Sequence, residues 1–317
     1  MSQARQIPDA IAPVSFKLFA ADFPAFVQQL GDSFARWGFA VICDHGMPQD
    51  KVAGAITETK AFFALPEAAK LKYKLPLAGQ RGYTPFGVET AKGNAHFDLK
   101  EFWHVGRDLP AGHPFRDHMA DNVWPSSELP DFQAKVGWLY GALDAMGLKL
   151  LEAIASYIGL DRQFFEPTVN VGNSILRLLH YPPVGEDGPH IRAGAHEDIN
   201  VITLLLGAEE AGLEVRDQGG RWIAINPPPG ALVVNIGDML QRLTNHRLPS
   251  TTHRVVNPAA ERRGFPRYST PFFLHFNSDY RIETLPGCVD AAHPDRYPEP
   301  VTADAYLQER LKEIKLA

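Results

Sequence analysis

The sequence predicts a mostly β protein with flanking helices, whose core is an antiparallel barrel or a two-sheet jelly roll. After residue 170, short β-rich segments recur with turns between them and with no alternating helices. Before residue 170, apolar residues at helical spacing dominate instead. A chain of 317 residues with 45% hydrophobic and 21% charged residues can also bury a sizeable core.

Helices and one short strand are expected in the amino-terminal part. Over 22–37, apolar residues recur three or four positions apart, with Asp22 as a candidate N-cap and Gly38 as a stop. The apolar run 39–42 ends at a turn signal and predicts a short strand. A further helix is expected over about 49–63.

The middle of the chain has one irregular stretch and one long helix. Glycines, prolines and scattered aromatics interrupt every pattern over 76–130, where the aromatic content favours an ordered loop over a flexible one. Helical spacing then runs from Asp131 to Gly159. The expected strands follow at 174–181, 199–207, 212–217, 221–225, 231–237, 251–257 and 267–276, with a hairpin loop at 218–220 and a last helix near 302–314.

Composition excludes several classes of protein. The formal net charge of -6 and pI near 6.1, without a stripe of Lys and Arg, disfavour a nucleic-acid partner. We find no signal-peptide core and no apolar run of membrane-spanning length, so we expect a cytoplasmic protein with no membrane span. Cys43 and Cys288 lie far apart and predict plain thiols rather than a disulfide framework or a thiolate zinc site.

The strongest chemical signal is a set of three candidate metal ligands. If the strand at 199–207 begins earlier, so that it includes 195–198, His196 and Asp198 stand two apart on it and both side chains should leave the same face. A histidine from a later strand can complete the set. We choose His253, in a β-branched run, over His246, in a turn-like stretch. Two histidines and one carboxylate suit non-heme iron(II) and oxygen chemistry, although zinc could use the same ligands.

A second pair of residues indicates a carboxylate-binding site. Arg267 and Ser269 repeat the spacing of two, which places a guanidinium and a hydroxyl on one face of another strand. A planar guanidinium matches a carboxylate through two parallel hydrogen bonds. A dicarboxylate such as 2-oxoglutarate would satisfy an inward-facing Arg267, and Tyr181 could add a hydrogen bond.

Taken in their order along the chain, the sequence motifs resemble those of the isopenicillin N synthase-like branch of the iron(II)/2-oxoglutarate-dependent oxygenases. The matching segments are 37–41, 44–46, 62–66, 81–83 and 98–102 in the amino-terminal part, then 180–183, 196–198, 235–238, 253–255 and 267–269. The resemblance implies a double-stranded β-helix (jelly-roll) core with an α-rich cap and a long supporting helix. The cap would span 1–125, and the helix, core and last helix would span 126–317, within one compact unit.

For the site, the resemblance implies iron(II) on His196, Asp198 and His253. It also implies 2-oxoglutarate on Arg267, Ser269 and Tyr181, with O2 as the oxidant. The expected activity is oxidation of a small organic substrate by hydroxylation, desaturation or ring closure, with release of succinate and CO2. Two departures are Leu179, where many members have Asn, and a longer gap between the last ligand and the arginine.

Alternatives remain open at the level of the sequence. Local likeness is high to isopenicillin N synthase-like oxidases, which act without 2-oxoglutarate and use the Arg and Ser for substrate. A zinc hydrolase and a non-catalytic barrel are remoter alternatives. For the substrate pocket we predict Tyr83, Phe97 and His104 from the cap and Phe273 from the strand of Arg267. The sequence predicts neither the substrate nor the oligomeric state.

Overall fold

The fold is described by a computed structural model over residues 10–76, 81–88, 98–117, 119–183, 192–206, 212–258 and 260–313. Its helices are α1 (Leu18–Ala21), α2 (Phe23–Trp37), α3 (Gln49–Phe63), α4 (Glu67–Leu71), α5 (Phe132–Tyr157), α6 (Glu166–Val169), α7 (Asp238–Leu243) and α8 (Ala303–Glu313). Its strands are β1 (Pro13–Ser15), β2 (Phe39–Cys43), β3 (Gly82–Thr84), β4 (Glu101–Gly106), β5 (Ile175–Tyr181), β6 (Ala193–His196), β7 (Ile202–Leu206), β8 (Leu213–Arg216), β9 (Trp222–Ala224), β10 (Leu232–Ile236), β11 (His253–Val255), β12 (Arg267–Leu274), β13 (Arg281–Ile282) and β14 (Val301–Thr302).

The helices confirm the predictions made from apolar spacing. α2 begins where the Asp22 carboxylate accepts the Ala25 N–H, and it ends at Gly38, whose φ of 65° favours glycine. α3 has the predicted bounds, and α5 occupies most of the long segment predicted from Asp131 to Gly159. Among the described residues, no helix is long and apolar enough to cross a bilayer.

Two sheets form the jelly-roll core. The larger runs in the order β1-β2-β10-β7-β12-β5-β4-β3, and every pair is antiparallel except β1 with β2. The smaller runs in the order β6-β11-β8-β9, again antiparallel. β13 and β14 form a separate pair. The hairpin predicted at 218–220 joins β8 to β9, with Gly220 at a φ of 80°.

The larger sheet is covered on both faces. Its outward residues, such as Leu204, Val234 and Phe272, share one hydrophobic cluster with α2, α3 and α5. Its inward residues face the smaller sheet, where Val41 and Val233 pack with residues of β8. Strands buried on both faces read as continuous apolar runs, which explains the composition of 199–207 and 231–237. The space between the two sheets holds the candidate site.

The irregular stretch 76–130 contains two strands that periodicity did not predict. All six residues of β4 are buried, and this strand lies between β3 and β5 in the larger sheet. With both faces buried, the strand has no polar alternation to reveal it. β1, β2, β3 and β4 all come from the predicted cap region and extend the same sheet as the core strands. The boundary at residue 125 stays a prediction.

Candidate metal centre and cavity

Three side chains converge beside the smaller sheet. His196 is the last residue of β6, His253 is the first of β11, and the two are register partners. Nε2 of each histidine lies 3.7 Å from Oδ1 of Asp198. One donor atom from each residue lies within 4.8 Å of the other two. The three donors therefore face a common point that a single metal ion can occupy.

Backbone carbonyls orient both imidazoles. Nδ1 of His196 lies 2.7 Å from the Gly194 oxygen, and Nδ1 of His253 lies 3.1 Å from the Thr251 oxygen. Because a carbonyl only accepts, Nδ1 carries the proton in each ring and Nε2 keeps its lone pair. The edge of the Phe39 ring also supports His253, at a centroid distance of 5.3 Å. Each histidine thus offers the neutral nitrogen that binds metal ions.

The structure corrects the strand argument for Asp198. β6 ends at His196, so Asp198 lies in the connection to β7, where strand parity does not direct its side chain. Its backbone oxygen accepts the Asp238 N–H at 2.7 Å. Its Oδ2 accepts hydrogen bonds from Thr203 Oγ1 at 2.6 Å and from Asn235 Nδ2 at 2.8 Å. These bonds, and not a regular strand, turn Oδ1 toward the histidines.

The electrostatics of His196, Asp198 and His253, called the metal cluster below, suit a divalent cation. Burial raises the pKa of Asp198, but His253, His196 and the hydrogen bonds from Asn235 and Thr203 outweigh it, so the pKa is lowered. Burial lowers the pKa of His253, and the neighbouring His196 lowers it further. The set therefore combines two imidazole nitrogens with an ionised carboxylate. Such a set fits iron(II) and leaves further coordination positions for small ligands.

A cavity adjoins the cluster between the two sheets. Alternate residues of β12, Arg267, Ser269, Pro271 and Phe273, line one wall, as their shared parity predicts. The remaining wall is largely apolar and includes Leu179, Leu205, Leu213, Val233 and Val255. All three members of the metal cluster also line it.

The predicted carboxylate anchors lie together in this cavity. Arg267 is 2% exposed, and its Nη1 donates to Ser269 Oγ at 3.2 Å. Tyr181 is the register partner of Arg267, and the guanidinium carbon lies 5.1 Å from the centre of the tyrosine ring. Burial lowers the pKa of Arg267, which reflects the cost of a cation away from water. An anion in the cavity would offset that cost.

Of the four predicted pocket residues, the structure places one in the cavity wall and two elsewhere, and the fourth lies outside the described residues. Phe273 lines the cavity, whereas Phe97 lies outside the described residues. Contrary to the prediction, Tyr83 and His104 are buried elsewhere and are not among the described lining residues. The Tyr83 hydroxyl donates to Glu101, and His104 Nε2 accepts from Arg177 Nε at 2.6 Å. Both side chains therefore serve contacts within the larger sheet.

His246 is not one of the three converging donors. It follows α7 with a φ of 67°, and its Nε2 lies 2.6 Å from the Tyr297 hydroxyl. The ring of Tyr297 also stacks on it, at 5.7 Å between centroids. His246 is therefore absent from the group of donors formed by the other two histidines and Asp198.

Sequence reasoning missed a buried ion pair in the cavity wall. Lys100 lines the cavity, and its Nζ lies 2.9 Å from Oδ2 of Asp98. Oδ1 of Asp98 accepts the N–H of Gly194, on the strand that ends in His196, at 3.3 Å. The motif at 98–102 marks this segment in the sequence. Only the tertiary contacts reveal that the ion pair joins the cap to β6.

Two family models match the chain. Residues 12–127 match the model described as non-haem dioxygenase in morphine synthesis N-terminal. Residues 172–276 match the model of the 2OG-Fe(II) oxygenase superfamily. The second match contains the metal cluster and both β12 anchors.

Proteins of known structure or name are similar over nearly the whole chain. A Caulobacter crescentus protein assigned to the 2OG-Fe(II) oxygenase family is 65% identical, covers 96% of this chain and 99% of its own, and has a TM-score of 0.91. A full-length Neurospora crassa protein, solved in complex with alpha-KG and thymine, is 31% identical over 95% of this chain and 96% of that chain, with a TM-score of 0.84. The 2-oxoglutarate-Fe(II) type oxidoreductase hxnY of Emericella nidulans is 33% identical over 90% of this chain and 84% of its own.

Proposed function

Because the chain belongs to the 2OG-Fe(II) oxygenase superfamily, we propose that His196, Asp198 and His253 hold its iron and that Arg267, Ser269 and Tyr181 bind its co-substrate. The enzyme is a non-heme iron(II)- and 2-oxoglutarate-dependent oxygenase that oxidises a small organic substrate and releases succinate and CO2. The observation that carries the residue assignment is the convergence of two imidazoles and one carboxylate within 4.8 Å.

Iron(II) and 2-oxoglutarate, when bound, supply the oxidising chemistry, in which O2 is reduced while 2-oxoglutarate loses CO2 and becomes succinate. The chain positions these groups and keeps them from bulk water. Thr203 and Asn235 hold the Asp198 carboxylate by hydrogen bonds to Oδ2, which keeps Oδ1 available to the metal. Backbone carbonyls hold both histidines with Nε2 unprotonated.

For the co-substrate, Arg267 would grip the carboxylate that is distal to the metal. Its planar guanidinium offers two parallel donors, and the Ser269 hydroxyl lies beside it. Tyr181 lies against the guanidinium and can donate its hydroxyl to the same carboxylate. The alternative, an oxidase that works without 2-oxoglutarate, gains no support from relatives solved with alpha-KG bound. The zinc hydrolase and the non-catalytic barrel gain none either.

For the substrate, we propose a small molecule that contacts Phe273 on the cavity wall formed by β12. The net charge of -6 supports a small-molecule partner over nucleic acid. The cytoplasmic location expected from the sequence stays a prediction.

Iron binding by single-histidine variants tests the ligand assignment. His253→Ala should lose iron(II), because it removes one of the three donors, and His196→Ala and Asp198→Ala should do the same. His246→Ala is the matched control and should keep wild-type iron content, since its ring contacts Tyr297 instead. Metal content after anaerobic loading and desalting is the measurement. Loss of iron from His246→Ala, with retention by His253→Ala, would overturn the assignment.

A further inference from the structure

Arg192 is a buried cation with unsatisfied hydrogen-bond donors. The residue is 0% exposed. Its Nη2 donates to the Phe265 carbonyl at 3.2 Å, but Nε and Nη1 have no hydrogen-bond partner among the residues that the structure describes. Among the described residues, no carboxylate forms an ion pair with this guanidinium. Burying an ionised group without partners is costly, and an anion beside this guanidinium would offset that cost.

The backbone places Arg192 next to the Arg267 end of the cavity, although Arg192 is not itself among the described lining residues. In the antiparallel pair of β6 with β11, His196 is opposite His253, and Ala193 is opposite Val255. Arg192 precedes Ala193, so it lies beyond the Val255 end, roughly 10 Å or more along the strand from the metal ligands. Ala193 and Val255 line the cavity together with Arg267.

Contacts of Arg192 with the connection between β11 and β12 support the same location. Its backbone N–H donates to Asn257 Oδ1 at 3.2 Å, just after β11. Its side chain bonds the carbonyl of Phe265, two residues before Arg267. Burial and the positive charge of Arg267 both lower the pKa of Arg192. Two buried guanidiniums therefore lie close enough to repel each other, and a shared anion would relieve the repulsion.

We propose that Arg192 is a second positioning residue for the co-substrate. Its guanidinium supplies positive charge to the distal carboxylate held by Arg267 and Ser269, and it donates hydrogen bonds to that carboxylate directly or through water. The inference rests on the proposed co-substrate site. It predicts that Arg192 acts only on ligands that carry the distal carboxylate. A residue needed merely for folding would not distinguish such ligands from analogues that lack this carboxylate.

The test compares two keto acids on iron(II)-loaded protein without oxygen. 2-Oxoglutarate carries the distal carboxylate, and 2-oxopentanoate has a methyl group in its place. Calorimetric titration should show Arg192→Met weakening 2-oxoglutarate about tenfold or more, the scale of a hydrogen bond to a charged group. Binding of 2-oxopentanoate should stay within about twofold. Arg192→Lys should recover part of the loss because it keeps the charge.

Arg242→Met is the matched control. Among the described residues, the Arg242 side chain also has an unsatisfied Nε and one bond to a carbonyl, that of Glu299, but it belongs to α7 and packs on the Tyr297 ring. This variant should bind both keto acids like wild type. Equal weakening of both ligands by Arg192→Met, or no weakening of either, would overturn the inference. A change confined to the substrate's affinity would also overturn it.

Two further outcomes separate this inference from the proposed function. If Arg267→Leu loses 2-oxoglutarate binding and Arg192→Met does not, only the inference fails. If wild-type protein binds neither keto acid, the proposed co-substrate site fails first. Should Arg192→Met not fold, an anaerobic crystal structure of wild type with iron(II) and 2-oxoglutarate decides. Arg192 bonded to the distal carboxylate, directly or through one water, supports the inference, and Nε and Nη1 bonded elsewhere refutes it.

Discussion

Thr203→Val should weaken iron(II) binding without altering the fold. The Thr203 hydroxyl donates to Oδ2 of Asp198 at 2.6 Å, and Asn235 is the other side-chain donor to this oxygen among the described residues. Valine keeps the shape and removes the donor. A hydrogen bond to a charged group contributes about 1.5–3 kcal/mol, which corresponds to roughly 10- to 150-fold in a dissociation constant. Loss of such outer partners typically lowers metal affinity by about 10- to 100-fold.

The effect should depend on pH. The Thr203 hydrogen bond is among the contacts that lower the pKa of Asp198. Removing it raises that pKa, so protons compete better with iron(II). The difference between variant and wild type should therefore grow as pH falls. Anaerobic competition against a coloured iron(II) chelator, repeated over a series of pH values, measures it.

Thr252→Val is the matched control for Thr203→Val. The Thr252 hydroxyl also donates to a carboxylate, Oε1 of Glu197 at 2.8 Å, but that group lies on the exposed side, between the two ligands of the motif. Its removal should leave iron(II) affinity within about twofold of wild type. Wild-type iron(II) affinity in Thr203→Val would refute the argument that this bond orients a ligand. An equal loss in both variants would show a generic effect.

Three further predictions concern the anchor, the backbone and a buried acid. Arg267→Leu should weaken 2-oxoglutarate binding about thirtyfold or more, because unpairing a buried charge costs roughly 2–5 kcal/mol. Arg267→Lys should also weaken this binding, and an unchanged affinity in either variant would contradict the prediction. Gly237→Ala would place a Cβ 2.1 Å from the Asn200 oxygen and should lower the melting temperature, whereas Gly137→Ala, with nothing within 4 Å, should not. Burial raises the pKa of Asp238 to about 6, above its ordinary value. The free energy of unfolding should therefore fall as pH rises from about 4 to above 6. Denaturant titrations of Asp238→Asn should lack this pH-dependent fall.

Local periodicity predicted the elements whose two faces differ. The N-cap at Asp22 and the stop at Gly38 were readable because each satisfies a local backbone requirement. The wall of Arg267, Ser269 and Phe273 was readable because β12 is a regular strand whose alternate residues enter the cavity. In each case, contacts within a few residues determine the outcome.

Long-range contacts determine the features that sequence reasoning missed. Asp198 points at the histidines because Thr203, Asn235 and the Asp238 backbone hold it, so the strand argument reached the right neighbours by an incorrect route. β4 is buried on both faces and shows no alternation. Within the described part of the chain, the unsatisfied donors of Arg192 depend on which groups surround it in space, and no spacing along the chain encodes that.

Anaerobic titration of iron(II)-loaded protein with 2-oxoglutarate tests the central claim most directly. Chelation of the metal by the keto acid produces an absorption band that neither component gives alone. We predict a band that saturates at one 2-oxoglutarate per chain in wild type and in His246→Ala, and that is absent in His253→Ala. On admission of O2 and a substrate, succinate should form. A band that persists in His253→Ala, or oxygen consumption with substrate but no succinate, would contradict the account.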